Sequence, residues 1–246
     1  MIYSVTRGDD PPIVLVAALG LGAASWRLVI DRLAATSGVL AYDRPATGAA
    51  PPRADPDEPI TYGVLADELD EVLHASGVDG PVVLVGHSMG GNIVRVFAGR
   101  HPERVAGLVF VDGSLPRLAL QPGDPPLTDG RDPGANPIDT LAGEVEVRRA
   151  GVPRVPVVVL ARTPGWWSSY PIPHPALDEL WQLNQHDLAV EHRAPLLIAE
   201  KAGHLMPADA PDLVAYGIDL VVRAVRTGSD PAPEAAELAA VGGRLG

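Results

Sequence analysis

The chain has 246 residues, 46% of them hydrophobic and 20% charged, and a formal net charge of −12. That length and apolar content can bury the core of one large α/β domain or two small ones, which excludes disorder as the general state. The acidic balance, with no run of basic residues, excludes the clustered Lys and Arg that phosphate backbones require. No nucleic-acid partner is expected, and an anionic membrane surface or strongly anionic substrate is disfavoured. The lack of cysteine excludes disulfides, thiolate catalysis and cysteine metal sites.

In chain order, residues 2–6 form a short candidate strand. The turn Gly8-Asp9-Asp10-Pro11-Pro12 leads into an apolar strand over 13–18, then a Gly-rich loop. The apolar stretch 13–22 is too short to span a bilayer and follows two aspartates rather than a basic flank, so it reads as a buried strand. With no export signal and no membrane insertion, a cytoplasmic location is the expectation. Trp26, Leu28, Val29 and Leu33 have helical spacing within 24–36. A strand over 38–43 precedes a Pro-rich loop, and a helix over 61–76 opens with Thr61 as N-cap. The strand 82–85 ends in Gly86-His87-Ser88-Met89-Gly90-Gly91, a helix is expected over 92–100, and 105–111 is a further buried strand. Strands apolar on both faces, alternating with helices, imply a mostly parallel sheet covered on both sides.

From residue 113 to about 137 six prolines interrupt the pattern. A helix over 138–149, a strand over 156–161, a loop with Trp166, Trp167 and Tyr170, a helix over 175–190, a strand over 195–200 and a helix over 211–226 follow. Residues 227–246 read as a flexible tail with one turn of helix around 234–240.

The strand, then Gly86-x-Ser88-x-Gly90, then a helix is a nucleophile elbow, with the serine on a sharp turn at the carboxyl end of the sheet. The glycines remove Cβ atoms from a crowded bend, and the N–H of Met89 at the helix start can donate to a developing oxyanion. Serine needs a base. Among seven histidines, His204 follows the final strand and so shares Ser88's edge of the sheet. His87 adjoins the nucleophile, but neighbouring strand residues face opposite ways, so it is expected to be packing. The remaining histidines show no metal-ligand spacing, and no metal or other cofactor is expected. Gly20-x-Gly22 with Asp43 offers a dinucleotide-binding reading, which the Ser25 at its sixth position and the unexplained elbow weigh against.

Taken together, Gly86 to Gly91, the loop Gly20 to Trp26, Tyr42-Asp43-Arg44-Pro45, His101 to Val105 and Gly203-His204 resemble the α/β-hydrolase superfamily over roughly 13–226. The resemblance implies an α/β-hydrolase fold over 1–226, a short reduced cap inserted at about 113–155, and a tail over 227–246. It implies catalysis by Ser88 and His204 and oxyanion donors on the N–H groups of Leu21 and Met89. In most members the acid follows the strand that here is 156–161, yet the next residues, Arg162 to Trp167, include no carboxylate. A minority, haloalkane dehalogenases among them, place the acid one strand earlier. That position is Asp112, with Asp187 as fallback. A second departure is Leu19-Gly20 where the family usually has His-Gly.

These readings point to a serine hydrolase acting on a small molecule, a neutral and largely apolar carboxylic ester, thioester or lactone, through an acyl-enzyme. Leu19, Trp166, Trp167, Tyr170 and Leu205 are candidates to line its pocket. The alternative is a non-hydrolytic member of the fold, catalysing cyclisation or C–C cleavage, or a ligand-binding protein. Nothing in the sequence sets an oligomeric state.

Overall fold

The computed structural model describes residues 2–5, 9–33, 37–114, 127–130, 135–151, 153–167 and 175–246. Its strands are β1 (Ile2–Val5), β2 (Asp9–Val16), β3 (Ser37–Tyr42), β4 (Val82–His87), β5 (Val105–Val111), β6 (Val157–Ala161), β7 (Leu196–Ala199) and β8 (Gly243–Leu245). The helices are α1 (Arg27–Leu33), entered through a 3-10 turn at Ala23–Trp26, α2 (Tyr62–Ala75), α3 (Met89–Arg100), α4 (Thr140–Arg149), α5 (Pro175–His192), α6 (Met206–Asp209), α7 (Pro211–Thr227) and α8 (Ala235–Ala240).

The strands form one eight-stranded sheet in the order β1-β3-β2-β4-β5-β6-β7-β8. The six inner strands are parallel, while β1 and β8 pair antiparallel at the two edges. The mostly parallel sheet expected from the sequence is therefore present. Strand alternation divides the core in two. Ile13, Leu15, Val83, Val85, Val109 and Val111 face α1 and α7, with Trp26, Val29 and Leu213 among their partners. Val14, Val16, Leu84, Leu108 and Phe110 face the opposite way, onto α2, α3 and α5, with Leu65, Leu69, Ile93 and Phe97. Because both faces are covered, every inner strand is apolar at odd and even positions alike, which is why no polar–apolar alternation shows in the sequence.

Helix starts follow local chemistry. Thr61 accepts from Val64 N–H in front of α2, and Asp139 accepts from Leu141 and Ala142 N–H in front of α4. Several boundaries differ from expectation; β2, for one, begins at Asp9, inside the segment read as a turn, where Asp9 pairs with Ser37 of β3. Helix α3 begins at Met89 rather than 92, because the elbow turns directly into it. The turn of helix expected around 234–240 is present as α8, but the segment is not a free tail: Leu238 is buried, and Gly243, Arg244 and Leu245 pair with Ala199, Ile198 and Leu197 as β8. Three residues with one apolar side chain carry no readable strand pattern. Their strand exists because the open edge of β7 supplies unpaired backbone groups to complete it. Of the insertion expected at 113–155, the described residues hold α4 and two isolated bridges, Ile60 with Ile138 and Thr128 with Pro137.

Candidate active site

The carboxyl ends of β4, β5, β6 and β7 converge on one edge of the sheet. At the end of β4, Ser88 has φ 51 and ψ −120, a strained conformation for a residue with a side chain. The bend is possible because its flanks lack Cβ atoms. A Cβ on Gly90 would collide with Val16 O, and one on Gly86 would lie 2.5 Å from Gly90 O. Backbone bonds fix the turn: Ser88 N–H donates to Val111 O, and Ser88 O accepts from Gly91 and Ser114 N–H.

Asp112, fully buried after β5, is the second strained residue, at φ 45. His204 lies in the loop after β7. Its Nε2 is 2.9 Å from Ser88 Oγ and its Nδ1 is 2.6 Å from Asp112 Oδ2. An ionised carboxylate only accepts, so the Nδ1 proton is the imidazole's and Nε2 is left to accept the serine proton. The loop is held on several sides. Gly203 N–H donates to Asp209 Oδ2 at 2.9 Å, and Ala202 N–H donates to Thr163 Oγ1 at 2.8 Å. The rings of Trp167 and Trp181 stand 5.8 and 5.1 Å from the imidazole, and Trp166 packs on Gly203.

His87 has a larger part than packing. Alternation does send it to the α1 side, as expected, but the His204 loop crosses that same face. Its ring nitrogen Nε2 is 2.7 Å from His204 O, so it donates an N–H that tethers the loop backbone. The ring is buried, and burial, with the neighbouring His204 second, holds it far below the usual 6.5, at about 3. It is therefore neutral across the working range.

The loop after β2 is held by a second buried network. Arg44 donates to Ala17 O and Ala18 O at 2.8 Å each, and its Nε and Nη2 reach Asp129 at 2.7 and 2.8 Å. Asp129 also accepts from Gly20 N–H at 3.0 Å. Burial opposes the Asp129 charge, but Arg44 and these hydrogen bonds outweigh it and hold the carboxyl below its ordinary range. Met89 N–H heads α3, where helix geometry leaves it without an intrahelical acceptor. Leu21 N–H, in contrast, donates to Ala18 O at 3.0 Å across a turn with Gly20 at φ 66.

Other expectations sort as follows. Asp187 is exposed on α5, paired at most with neighbouring His186 and away from the imidazole. Asp43 accepts from Ala23 and Ala49 N–H at 2.8 and 2.9 Å, an internal brace between two loops. Leu19 is half-buried, Trp166 and Leu205 are exposed, and Trp167 spreads over Arg162 rather than standing free. Tyr170 lies outside the described residues. Among the described residues no group of His, Asp and Glu is arranged to hold a metal ion, and no helix is long and apolar enough to cross a membrane.

Comparison with known proteins places this geometry in a family. The profile of the α/β hydrolase fold family matches residues 11–134. The chain belongs to the α/β hydrolase fold family. Within it, the chain is 37% identical over 123 residues to Esterase PIR7B of Oryza sativa subsp. japonica, covering 49% of this chain and 45% of that protein. It is 30% identical over 102 residues to 1-acylglycerol-3-phosphate O-acyltransferase ABHD5 of Sus scrofa, covering 41% and 29%. The chain thus spans less than half the length of these curated relatives. A thermophilic esterase from Thermogutta terrifontis has the same α/β hydrolase architecture, with a TM-score of 0.62 at 19% identity over 91% of this chain and 93% of that one.

Proposed function

We propose that this α/β hydrolase is a serine hydrolase that cleaves a neutral, largely apolar carboxylic ester, thioester or lactone through an acyl-enzyme. The observation that carries the proposal is the Ser88–His204–Asp112 chain of hydrogen bonds at 2.9 and 2.6 Å. In this reading Ser88 Oγ attacks the carbonyl carbon while its proton passes to His204 Nε2. The imidazolium then protonates the departing alkoxide or thiolate. Water, deprotonated in turn by His204, releases the acid and restores the serine. Asp112 keeps the Nδ1 tautomer and steadies the transient positive ring. Met89 N–H is the ready oxyanion donor, and Leu21 N–H joins it by sharing its hydrogen between Ala18 O and the oxyanion, a three-centre arrangement. Net charge and the Trp-rich surroundings of His204 support an uncharged, apolar substrate. The esterase name of one relative agrees with ester chemistry. The hydrolase domain includes β8 at the last edge of its sheet and carries a reduced cap at about 113–155.

The test is labelling with an alkyl fluorophosphonate and turnover of p-nitrophenyl butyrate. Wild-type protein labels at Ser88 and turns over the ester, and Ser88→Ala does neither. Equal turnover by Ser88→Ala would end the proposal. A second reading, a non-hydrolytic member of the fold, draws on Leu19 and on the engagement of Leu21 N–H with Ala18 O. It expects labelling at Ser88 without turnover across a panel of acyl chain lengths.

A further inference from the structure

Arg162 leaves β6 at the point where most relatives would be expected to begin their acid loop, and its side chain is fully buried. Nη1 lies 3.2 Å from Asp112 Oδ2 and 3.3 Å from Oδ1, and the Arg162 backbone N–H is 3.3 Å from Oδ1. Nη2 donates to Asp178 Oδ1 on α5 at 2.7 Å. Trp167 covers the guanidinium, its ring centroid 4.1 Å from the central carbon, with Trp181 at 5.6 Å. Asp178 meanwhile ties down the loop carrying that lid, accepting from Gly165 and Trp167 N–H at 2.7 and 3.3 Å. The carboxylate that touches His204 is thus shared with a cation sealed from water, where charges act on one another far more strongly than at the surface.

The groups that face the imidazole are few. Ser88 and His87 come from the end of β4, Asp112 from the end of β5, Trp167 from the loop after β6 and Trp181 from α5. Asp209 of α6 braces the backbone at Gly203. His87 is neutral, so the charges that bear on His204 at close range are Asp112 and, behind it, Arg162 and Asp178. With a neutral imidazole this cluster carries one net negative charge, and with an imidazolium it is balanced. Removing the cation would leave two carboxylates to stabilise a protonated ring.

Resting on the reading of Ser88 as nucleophile and His204 as base, we infer that Arg162 is a positioning residue. It holds the Asp112 carboxylate against His204 Nδ1, and its positive charge, behind that carboxylate, offsets part of the negative charge facing the imidazole. The backbone and guanidinium bonds fix the carboxylate from the side opposite the imidazole. Arg162 reaches the chemistry through Asp112 and touches no reacting atom.

The experiment follows the second-order rate of Ser88 labelling by an alkyl fluorophosphonate against pH, in wild type, Arg162→Met, Arg162→Lys and the paired Arg162→Met/Asp178→Asn. The paired variant neutralises Asp178, so that Asp112 is the one carboxylate left beside the missing cation, and guards against a folding failure of the single one. Near-UV circular dichroism verifies the fold of each. Expected is an acid limb displaced upward by about one pH unit in Arg162→Met, displaced in the same direction in the paired variant, and near its wild-type position in Arg162→Lys. A rate lowered equally at every pH, with the limb unmoved in both folded Met variants, would reduce Arg162 to a packing residue and overturn the inference. Absence of labelling at Ser88 in the wild type would instead remove the serine-hydrolase reading on which it stands.

Discussion

Two buried arginines flank the site, and the chain uses them in different ways. Arg44 faces one carboxylate, Asp129, and spends its remaining donors on the carbonyls of Ala17 and Ala18. Its cluster is balanced in charge, and every guanidinium nitrogen has a hydrogen-bond partner. Arg162 faces two carboxylates, Asp112 and Asp178, and its Nε has no partner among the described residues. One cluster is closed on itself, and the other keeps a negative charge turned toward His204. The difference separates a brace from a device that responds to protonation: a buried ion pair fixes geometry when it balances, and tunes a neighbour when it does not.

The largest effect should come from the unbalanced side. Asp112→Asn keeps the shape and removes the charge, and turnover should fall by up to ~10⁴ with the near-UV spectrum retained. A rate close to wild type would hand the orienting role to another carboxylate. Next comes the balanced side. Asp129→Leu strands Arg44 without its counter-charge and should cost about 3–5 kcal/mol of unfolding free energy in urea titration. Arg44→Met/Asp129→Leu should recover a good part of that loss. If instead the single and double variants are equally unstable, the pair does not act as a closed unit.

A pH series sharpens the contrast further. Burial chiefly holds the rings of His87 and His192 neutral, at about 3 and about 4, with the neighbouring His204 the second cause for the one and the Arg95 guanidinium for the other. Both values lie below the ordinary 6.5, so the unfolded chain binds more protons than the folded one on the acid side. Stability from these rings is complete above about pH 6.5, declines as the pH falls, and levels off below about 3 to 4. His192→Phe, measured by urea midpoint at pH 7 and pH 5, should narrow the gap between the two. At the small end, the exposed pair Arg148–Glu144 on α4 should contribute within about 0.5 kcal/mol, so Arg148→Ala should leave the midpoint nearly unchanged.

Much of this molecule could be read before any coordinates. The strand-elbow-helix spacing around Ser88 is local, so a short window of sequence contains all of it. His204 was legible one step further out, because it follows an apolar strand and parallel strands deliver their ends to the same edge, whereas Asp112 came only through the resemblance to the α/β-hydrolase superfamily. What escaped is long-range. Arg162 reads as an ordinary loop residue, and only the lack of a carboxylate beside it hinted at anything unusual. Arg44 and Asp129 are 85 residues apart, and no pattern in either neighbourhood announces the other. For His87 the alternation rule gave the right face and the wrong conclusion, since periodicity cannot say which loop will lie over that face.

The short strand β8 runs antiparallel against the last parallel strand, β7. A border strand presents a row of backbone donors and acceptors that a second molecule could zip onto, and here the same polypeptide occupies that row first. Deleting 243–246 would leave β7 as an open template, and the truncated protein should form larger species in light scattering at concentrations where the intact one does not.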